Sequence, residues 1–218
     1  MIVFRDVSKA YRTNRGWRVI LEPTTIELPR NRRIGILGRN GMGKSTLIRL
    51  IAGTESPSSG RIERQVSVSW PLGFSSGFHG ELTGRENLRF ISRIYGADID
   101  YVTDYVEEFS ELGDYFDMPV ETYSSGMSAR LAFGLSMAIR FECYLVDELT
   151  SVGDAWFRDK CEQAFAARRR DSGLIMVSHN AGTIRTYCDM GIVLRDGRMT
   201  AYDDLEMAIA DYSEGLKL

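Results

Sequence analysis

The sequence predicts an α/β fold with a mostly parallel sheet, and three observations carry that prediction. Short apolar runs of strand length alternate with stretches of helical spacing on either side of a helical middle. A glycine-rich loop, GRNGMGKST over residues 38–46, stands between one such run and one such stretch. An Asp-Gly pair, Asp196 and Gly197, joins the last two runs as a hairpin. Strands that alternate with helices imply a parallel sheet covered on both faces.

Residues 2–7 alternate apolar and polar, as a half-buried strand does, and residues 17–26 pair with them as an antiparallel N-terminal β part. Tyr11 lies in the connection between them. An aromatic side chain placed there either stacks on a nucleotide base or packs on its surface neighbours. Residues 34–37 (IGIL) read as a buried strand and residues 46–52 (TLIRLIA) as a helix.

The loop between them fits GxxxxGK[ST], with Gly38, Gly43, Lys44 and Ser45 at the fixed positions and Arg39, Asn40, Gly41 and Thr46 completing it. Glycines allow backbone conformations closed to other residues and bring successive N–H groups close to phosphate oxygens. Lys44 adds a positive charge near the β- and γ-phosphates, and Ser45 offers a hydroxyl to Mg²⁺. Strand, loop and helix in this order aim a helix N-terminus at an anion.

Residues 53–60 (GTESPSSG) form a dense turn cluster, and residues 61–70 then read as one strand. The glycine, serine and aromatic content of residues 71–80 marks a loop. Residues 87–95, 101–112 and 128–139 have helical spacing and make a mostly helical insertion. Alternation resumes with a strand at residues 144–146, a helix to residue 170, a strand at 174–177, a helix to 187, a strand at 191–194 and its return at 199–202.

With 218 residues, 44% of them hydrophobic and 26% charged, the chain suits one soluble domain, or one domain with a sizeable insertion. It has no apolar run of membrane-spanning length, and Met1 to Phe4 lead straight into Arg5 and Asp6 with no secretory signal, so a cytosolic protein is expected. A net charge of −3 argues against nucleic acid as the main ligand. The basic runs at residues 30–33 and 168–170 are short and read as capping or solvated groups. Cys143, Cys161 and Cys188 are far apart, as reduced and mostly buried thiols are.

Three further segments bear on chemistry. CYLVDE, residues 143–148, is an apolar strand ending in two acids: beside a phosphate loop Asp147 would hold Mg²⁺ and Glu148 would orient and deprotonate an attacking water. LIMVSH, residues 174–179, delivers His179 at the end of another strand, to reach a γ-phosphate or to sit as a histidine satisfied by backbone. YSSGM, residues 123–127, opens a helix of few charges, where Ser124, Ser125 and Gly126 either meet an anion or simply cap the helix.

Taken together these segments resemble the ATP-binding subunit of ABC transporters, over nearly the whole chain. In that family's terms Tyr11 looks like the adenine-stacking aromatic, residues 38–45 like Walker A, YSSGM like the signature, Asp147 and Glu148 like the end of Walker B, residues 151–154 with Asp154 like the D-loop, and His179 like the switch histidine. The phrases SWPLGF, FHGELTGRENLRF, YSSGMSARLAFGLSMA and VDELTSVGDAWF are similar to the ATPases of capsular polysaccharide exporters of the KpsT type. O-antigen and teichoic acid exporters share SSGM and VGDA. Two departures stand out: Tyr123, Ser125 and Met127 replace residues of the usual LSGGQ, and residues 70–74 hold no counterpart of the Q-loop glutamine.

The resemblance implies a P-loop NTPase of ABC ATPase fold, one domain over residues 1–218 with a helical subdomain at about residues 74–138. It implies ATP and Mg²⁺ as ligands, with Lys44, Glu148 and His179 catalytic. It also implies a head-to-tail homodimer, a polytopic membrane permease as partner with periplasmic and outer-membrane export components reached through it, and a place on the cytoplasmic face of the inner membrane. Phe74, Phe78 and Phe90 are candidate anchors for that permease, with a core role equally open to Phe90. A soluble ABC-type ATPase acting on ribosomes or chromosomes stays open as a second class; such proteins usually have paired ATPase domains or a long coiled-coil insertion, and neither feature is present in this sequence. A nucleotide kinase would account for the phosphate loop alone.

Overall fold

The computed structural model describes residues 1–14, 16–72, 77–147, 155–168, 171–178 and 180–216, with the side chain of residue 155 excepted. The chain divides into two compact units. The first takes Met1–Pro71, Phe141–Leu149 and Asp171–Leu218, the second Leu72–Arg140 and Thr150–Arg170.

In the first unit, β1 (Ile2–Thr13), β2 (Gly16–Leu28) and β4 (Ser59–Arg64) form an antiparallel sheet in the order β2-β1-β4. A second sheet runs β5-β6-β7-β3-β8-β9, from β3 (Arg33–Leu37), β5 (Val68–Pro71), β6 (Cys143–Asp147), β7 (Gly173–Val177), β8 (Met190–Arg195) and β9 (Arg198–Tyr202). All its pairings are parallel except β8 with β9, so the mostly parallel sheet and the antiparallel N-terminal part are both present. Asp196 and Gly197 turn β8 into β9 with φ of 48° and 77°, the pair of positive angles a type I′ hairpin demands.

Helix α1 (Lys44–Ala52) packs into one core with both sheets. Leu47, Ile48, Leu50 and Ile51 are all buried, covering more than one face of the helix, as a helix enclosed on several sides requires. Each contributes about 2 kcal/mol by leaving water. Phe4 and Leu21 from the antiparallel sheet, and Ile36, Leu145, Val177 and Ile192 from the parallel one, meet in the same core. Helix α6 (Ala181–Tyr187) lies on β3, and α7 (Leu205–Glu214) on β8. Helix α7 is not among the predicted elements. Its signals are Asp204 as N-cap and buried Leu205, Ala208 and Ile209 at helical spacing.

Two strand boundaries differ from the sequence expectation. The first strand runs past residue 7 to Thr13, which places Tyr11 on β1 rather than in a loop. The single strand expected over residues 61–70 is two strands in different sheets, and the chain crosses between them at residues 65–67. The basic run at residues 30–33 braces strand starts: Arg32 and Arg33 pair with Asp189 at 2.8 and 2.9 Å, and Arg30 pairs with Glu142. All three cysteines are buried and form no disulfide, and burial pushes the thiols of Cys143 and Cys161 up to about 12.

The second unit holds α2 (Gly84–Tyr95), α3 (Ile99–Ser110), α4 (Ser125–Ala138) and α5 (Ala155–Arg168) around Leu88, Val106, Phe109, Phe116, Leu131 and Phe157. Thr83 and Glu86 form a reciprocal capping box that starts α2. Asn87, 1% exposed, accepts from the His79 N–H and donates to the carbonyls of His79, Leu82 and Thr83, fixing the loop before that helix. Arg85 spans Asp117 at 2.7 Å and Glu107 at 3.0 Å across the ring of Phe116.

Candidate nucleotide-binding site

Strand β3 is buried from Ile34 to Leu37, where it ends, and the phosphate loop begins at Gly38. A side chain at Gly38 would meet the Leu194 carbonyl at 2.8 Å, so the loop leaves the sheet pressed against β8. Gly43 adopts φ 98° and a Cβ there would lie 2.3 Å from the Ile20 Cγ2, so this position disfavours a side chain on two counts. Strand β2 thus holds the loop from outside with Ile20 and with Arg18, whose Nη2 donates to the Gly41 carbonyl at 2.8 Å. Neither residue stands out in the sequence. Their signal is spacing, because alternate residues of a strand share a face.

Gly43 is also the N-cap of α1. It brings no side-chain acceptor, and no acid stands in the first turn, which leaves the positive end of the helix to an outside anion. The Lys44 ammonium donates to the carbonyls of Gly38 at 2.7 Å and Arg39 at 3.1 Å, which keeps a buried cation under the loop it serves. Ser45 is exposed in the first turn and Thr46 is buried behind it, while Arg39, Asn40 and Gly41 form the exposed rim.

Asp147 ends β6, half-buried. Asp147 pairs with Val177 of β7, and Val177 with Ile36 of β3, so the carboxylate stands on one lateral row with the second residue before Gly38. At the usual strand spacing β6 and β3 are about 10 Å apart. Two oxygen donors, the Ser45 hydroxyl and the Asp147 carboxylate, therefore stand at the same edge of the sheet, a hard-ligand set that suits Mg²⁺.

Tyr11 pairs with Arg18 across β1 and β2, and both reach the loop region: Arg18 touches Gly41, and the Tyr11 hydroxyl lies 3.5 Å from the Thr46 Oγ1. The Tyr11 hydroxyl also donates to Glu55, which follows α1. A cavity of about 270 Å³ opens beside the loop, lined by Gly38, Arg39, Met42, Leu194, Arg195 and Tyr212. It includes neither Lys44 nor Tyr11 and is not the phosphate seat.

In the second unit Ser124 is the N-cap of α4, its Oγ accepting from the Met127 N–H at 3.2 Å. Ser124 and Ser125 are exposed and Gly126 is half-buried, at the end of a helix whose last turns are fully buried. Glu148, Asp154 and His179, with Phe74 of the anchor group, lie outside the described residues. Phe78 is half-buried, and Phe90 is 56% exposed rather than part of the core.

Comparison with known proteins agrees with this geometry. The profile of the ABC transporter family matches residues 21–151. The capsule polysaccharide export ATP-binding protein CtrD of Neisseria meningitidis serogroup B is 52% identical over 98% of this chain and 99% of its own length. The polysialic acid transport ATP-binding protein KpsT of Escherichia coli is 48% identical over 99% of this chain and 100% of its own. Among solved structures, a dimer of the ATP-binding cassette MJ0796 in a post-hydrolysis state with ADP and Pi shares the fold. Its TM-score is 0.73 at 19% identity, over 92% of this chain and 98% of that one. With the family profile covering more than half of its length, and relatives this similar from end to end, the chain belongs to the ABC transporter family.

Proposed function

We propose that this protein is the ATP-hydrolysing subunit of an exporter of capsular polysaccharide, held at the cytoplasmic face of the inner membrane by a polytopic permease. The observation that carries the reading is end-to-end similarity to a capsule polysaccharide export ATP-binding protein, joined to a phosphate loop built as described. Periplasmic and outer-membrane export components would be reached through the permease.

The substrate is ATP. The open N-terminus of α1 and the backbone of the loop bind its phosphates, and the Lys44 ammonium moves from the Gly38 and Arg39 carbonyls to the β- and γ-oxygens. Mg²⁺, when bound, supplies charge that neutralises the phosphate oxygens; Ser45 and Asp147 would hold it. Glu148 takes the proton of the attacking water, and His179 stabilises charge on the transferring phosphate. Ser124 to Gly126 of a second copy, with Asp154 near them, complete the site in a head-to-tail homodimer. Because only the closed dimer makes all these contacts, ATP favours closure by its differential affinity, and hydrolysis releases it.

The test is recovery of the tagged chain from detergent-solubilised membranes of its host. A polytopic membrane subunit in about equal amount supports the exporter reading. Recovery of ribosomal or chromosomal partners alone rejects transport and leaves the ATPase assignment standing.

A further inference from the structure

Tyr11 is held by more than its own strand. Its hydroxyl donates to Glu55, and the same carboxylate takes Lys9 at 2.8 Å from β1 and Arg49 at 3.0 Å from α1. The Glu55 side chain is only 18% exposed, so an isolated charge there would be costly; two cations and a phenol satisfy it. Burial by itself raises this carboxyl, but the hydrogen bonds from Lys9, Tyr11 and Arg49 outweigh it and hold the group at about 2, ionised at any physiological pH.

The cluster has a direction. Arg49 also donates to the Thr46 Oγ1 at 3.3 Å, so one set of bonds joins the last residue of the phosphate loop to the ring of Tyr11. The Lys9 ammonium stands 4.9 Å from the centroid of that ring and occupies one of its faces. A phenol fixed at its hydroxyl and covered on one face has only the opposite face to offer a flat group. Two cations already balance Glu55, so the bond to Tyr11 is not needed for charge. Its effect is to fix where the ring stands.

We infer that Glu55 is a positioning residue for base recognition: it anchors the Tyr11 hydroxyl so that the ring face opposite Lys9 is set at a fixed place beside the phosphate loop to receive the adenine of ATP. The inference rests on the reading of the loop as an ATP site with Tyr11 as the stacking group. Glu55 itself touches no nucleotide, and its contribution appears only in ligands that carry a base.

The experiment compares binding of ATP and of inorganic triphosphate, each with Mg²⁺, to the full chain by calorimetry, in the wild type and in Tyr11→Ala, Tyr11→Phe, Glu55→Ala and Glu55→Gln. Tyr11→Ala should weaken ATP about tenfold and leave triphosphate unchanged, the loss expected for one stacked base. Tyr11→Phe and Glu55→Ala should each weaken ATP about threefold, again without effect on triphosphate. Glu55→Gln, which still accepts from the phenol, should lie between Glu55→Ala and the wild type. If Tyr11→Ala changes ATP and triphosphate alike, the stacking reading itself fails. If Tyr11→Ala is selective for ATP while Tyr11→Phe and Glu55→Ala bind ATP as the wild type does, stacking stands and the positioning role is overturned. Equal losses of ATP and triphosphate in both Glu55→Ala and Tyr11→Phe would also overturn it, by assigning the cluster to support of the phosphate loop.

Discussion

Arg18 of β2 and Gly41 of the phosphate loop are joined by one hydrogen bond, guanidinium Nη2 to carbonyl oxygen at 2.8 Å. The bond ties the rim of the loop to the antiparallel sheet, whereas the rest of the loop belongs to β3 and α1. Arg18→Ala should therefore leave stability within about 0.5 kcal/mol of the wild type, because the residue is exposed. ATP affinity should fall about fivefold, or ~1 kcal/mol, the net worth of one ordinary hydrogen bond that orders a binding loop. Calorimetric titration with ATP decides it, and an unchanged affinity would mean that the loop holds its shape without the guanidinium.

Gly43 carries the opposite expectation, a loss of stability. Alanine there must adopt φ near 98° and place its methyl 2.3 Å from the Ile20 Cγ2. A strained backbone of this kind costs about 1–3 kcal/mol. Gly43→Ala should lower the melting temperature by roughly 5 °C. In an Ile20→Ala background the further change Gly43→Ala should cost less than it does in the wild type, since the clash is gone and the strain remains. An equal cost in both backgrounds would place the whole effect in the backbone.

The strand-loop-helix unit around Lys44 is legible in the sequence because every signal for it is local: four apolar residues, fixed glycines, then helical spacing. Tyr11 is less legible. Asp6 takes φ 50° and the register of β1 with β2 shifts between Phe4 and Val7 and again on either side of Lys9, so alternation stops at residue 7 although the strand continues. The crossing at residues 65–67 fails for the converse reason, since alternation persists while the chain changes sheets. Glu55 has no sequence signal at all. It sits in a turn cluster, and its partners Lys9 and Tyr11 are more than forty residues away in the chain.

The acid response of the Glu55 cluster follows from its ionisation. The carboxyl is held below its ordinary value of 4.5, at about 2, by Lys9, Tyr11 and Arg49 against the upward pull of burial. A group whose folded value is depressed stabilises the fold above its unfolded value, and that stabilisation is lost as pH falls through the folded one. The melting temperature of the wild type should exceed that of Glu55→Gln by a constant margin above about pH 5.5, and the margin should shrink steadily from there toward pH 2. A margin that does not change across this window would show that the charge of Glu55 contributes nothing to the fold.

Hydrolysis depends on Glu148 in the proposed mechanism, and Gln at that position keeps the shape while removing the base. Glu148→Gln should retain ATP affinity and lose about 10²–10⁴-fold in turnover. Since in that mechanism hydrolysis opens the dimer, the variant should also accumulate as a dimer with ATP, visible by sedimentation. Wild-type turnover in this variant would remove Glu148 as the base.

Substitutions on the surface of α2 test coupling apart from catalysis. Phe90 and Ile94, one helical turn apart, are 56% and 62% exposed, while the same helix buries Leu88 completely. Two large apolar side chains on one exposed stripe do nothing for the core, so replacing them should not weaken it. Serine at both positions should leave the melting temperature within about 2 °C and ATP affinity unchanged. If the stripe receives the permease, the same variant should lose export of the polysaccharide and co-purify less of the membrane subunit. Phe78, half-buried in the loop before α2, should behave likewise as Phe78→Ala. Normal export with both sets of substitutions would move the contact off this helix and its loop. Loss of export together with loss of ATP binding would mean instead that the substitutions reach the catalytic machinery.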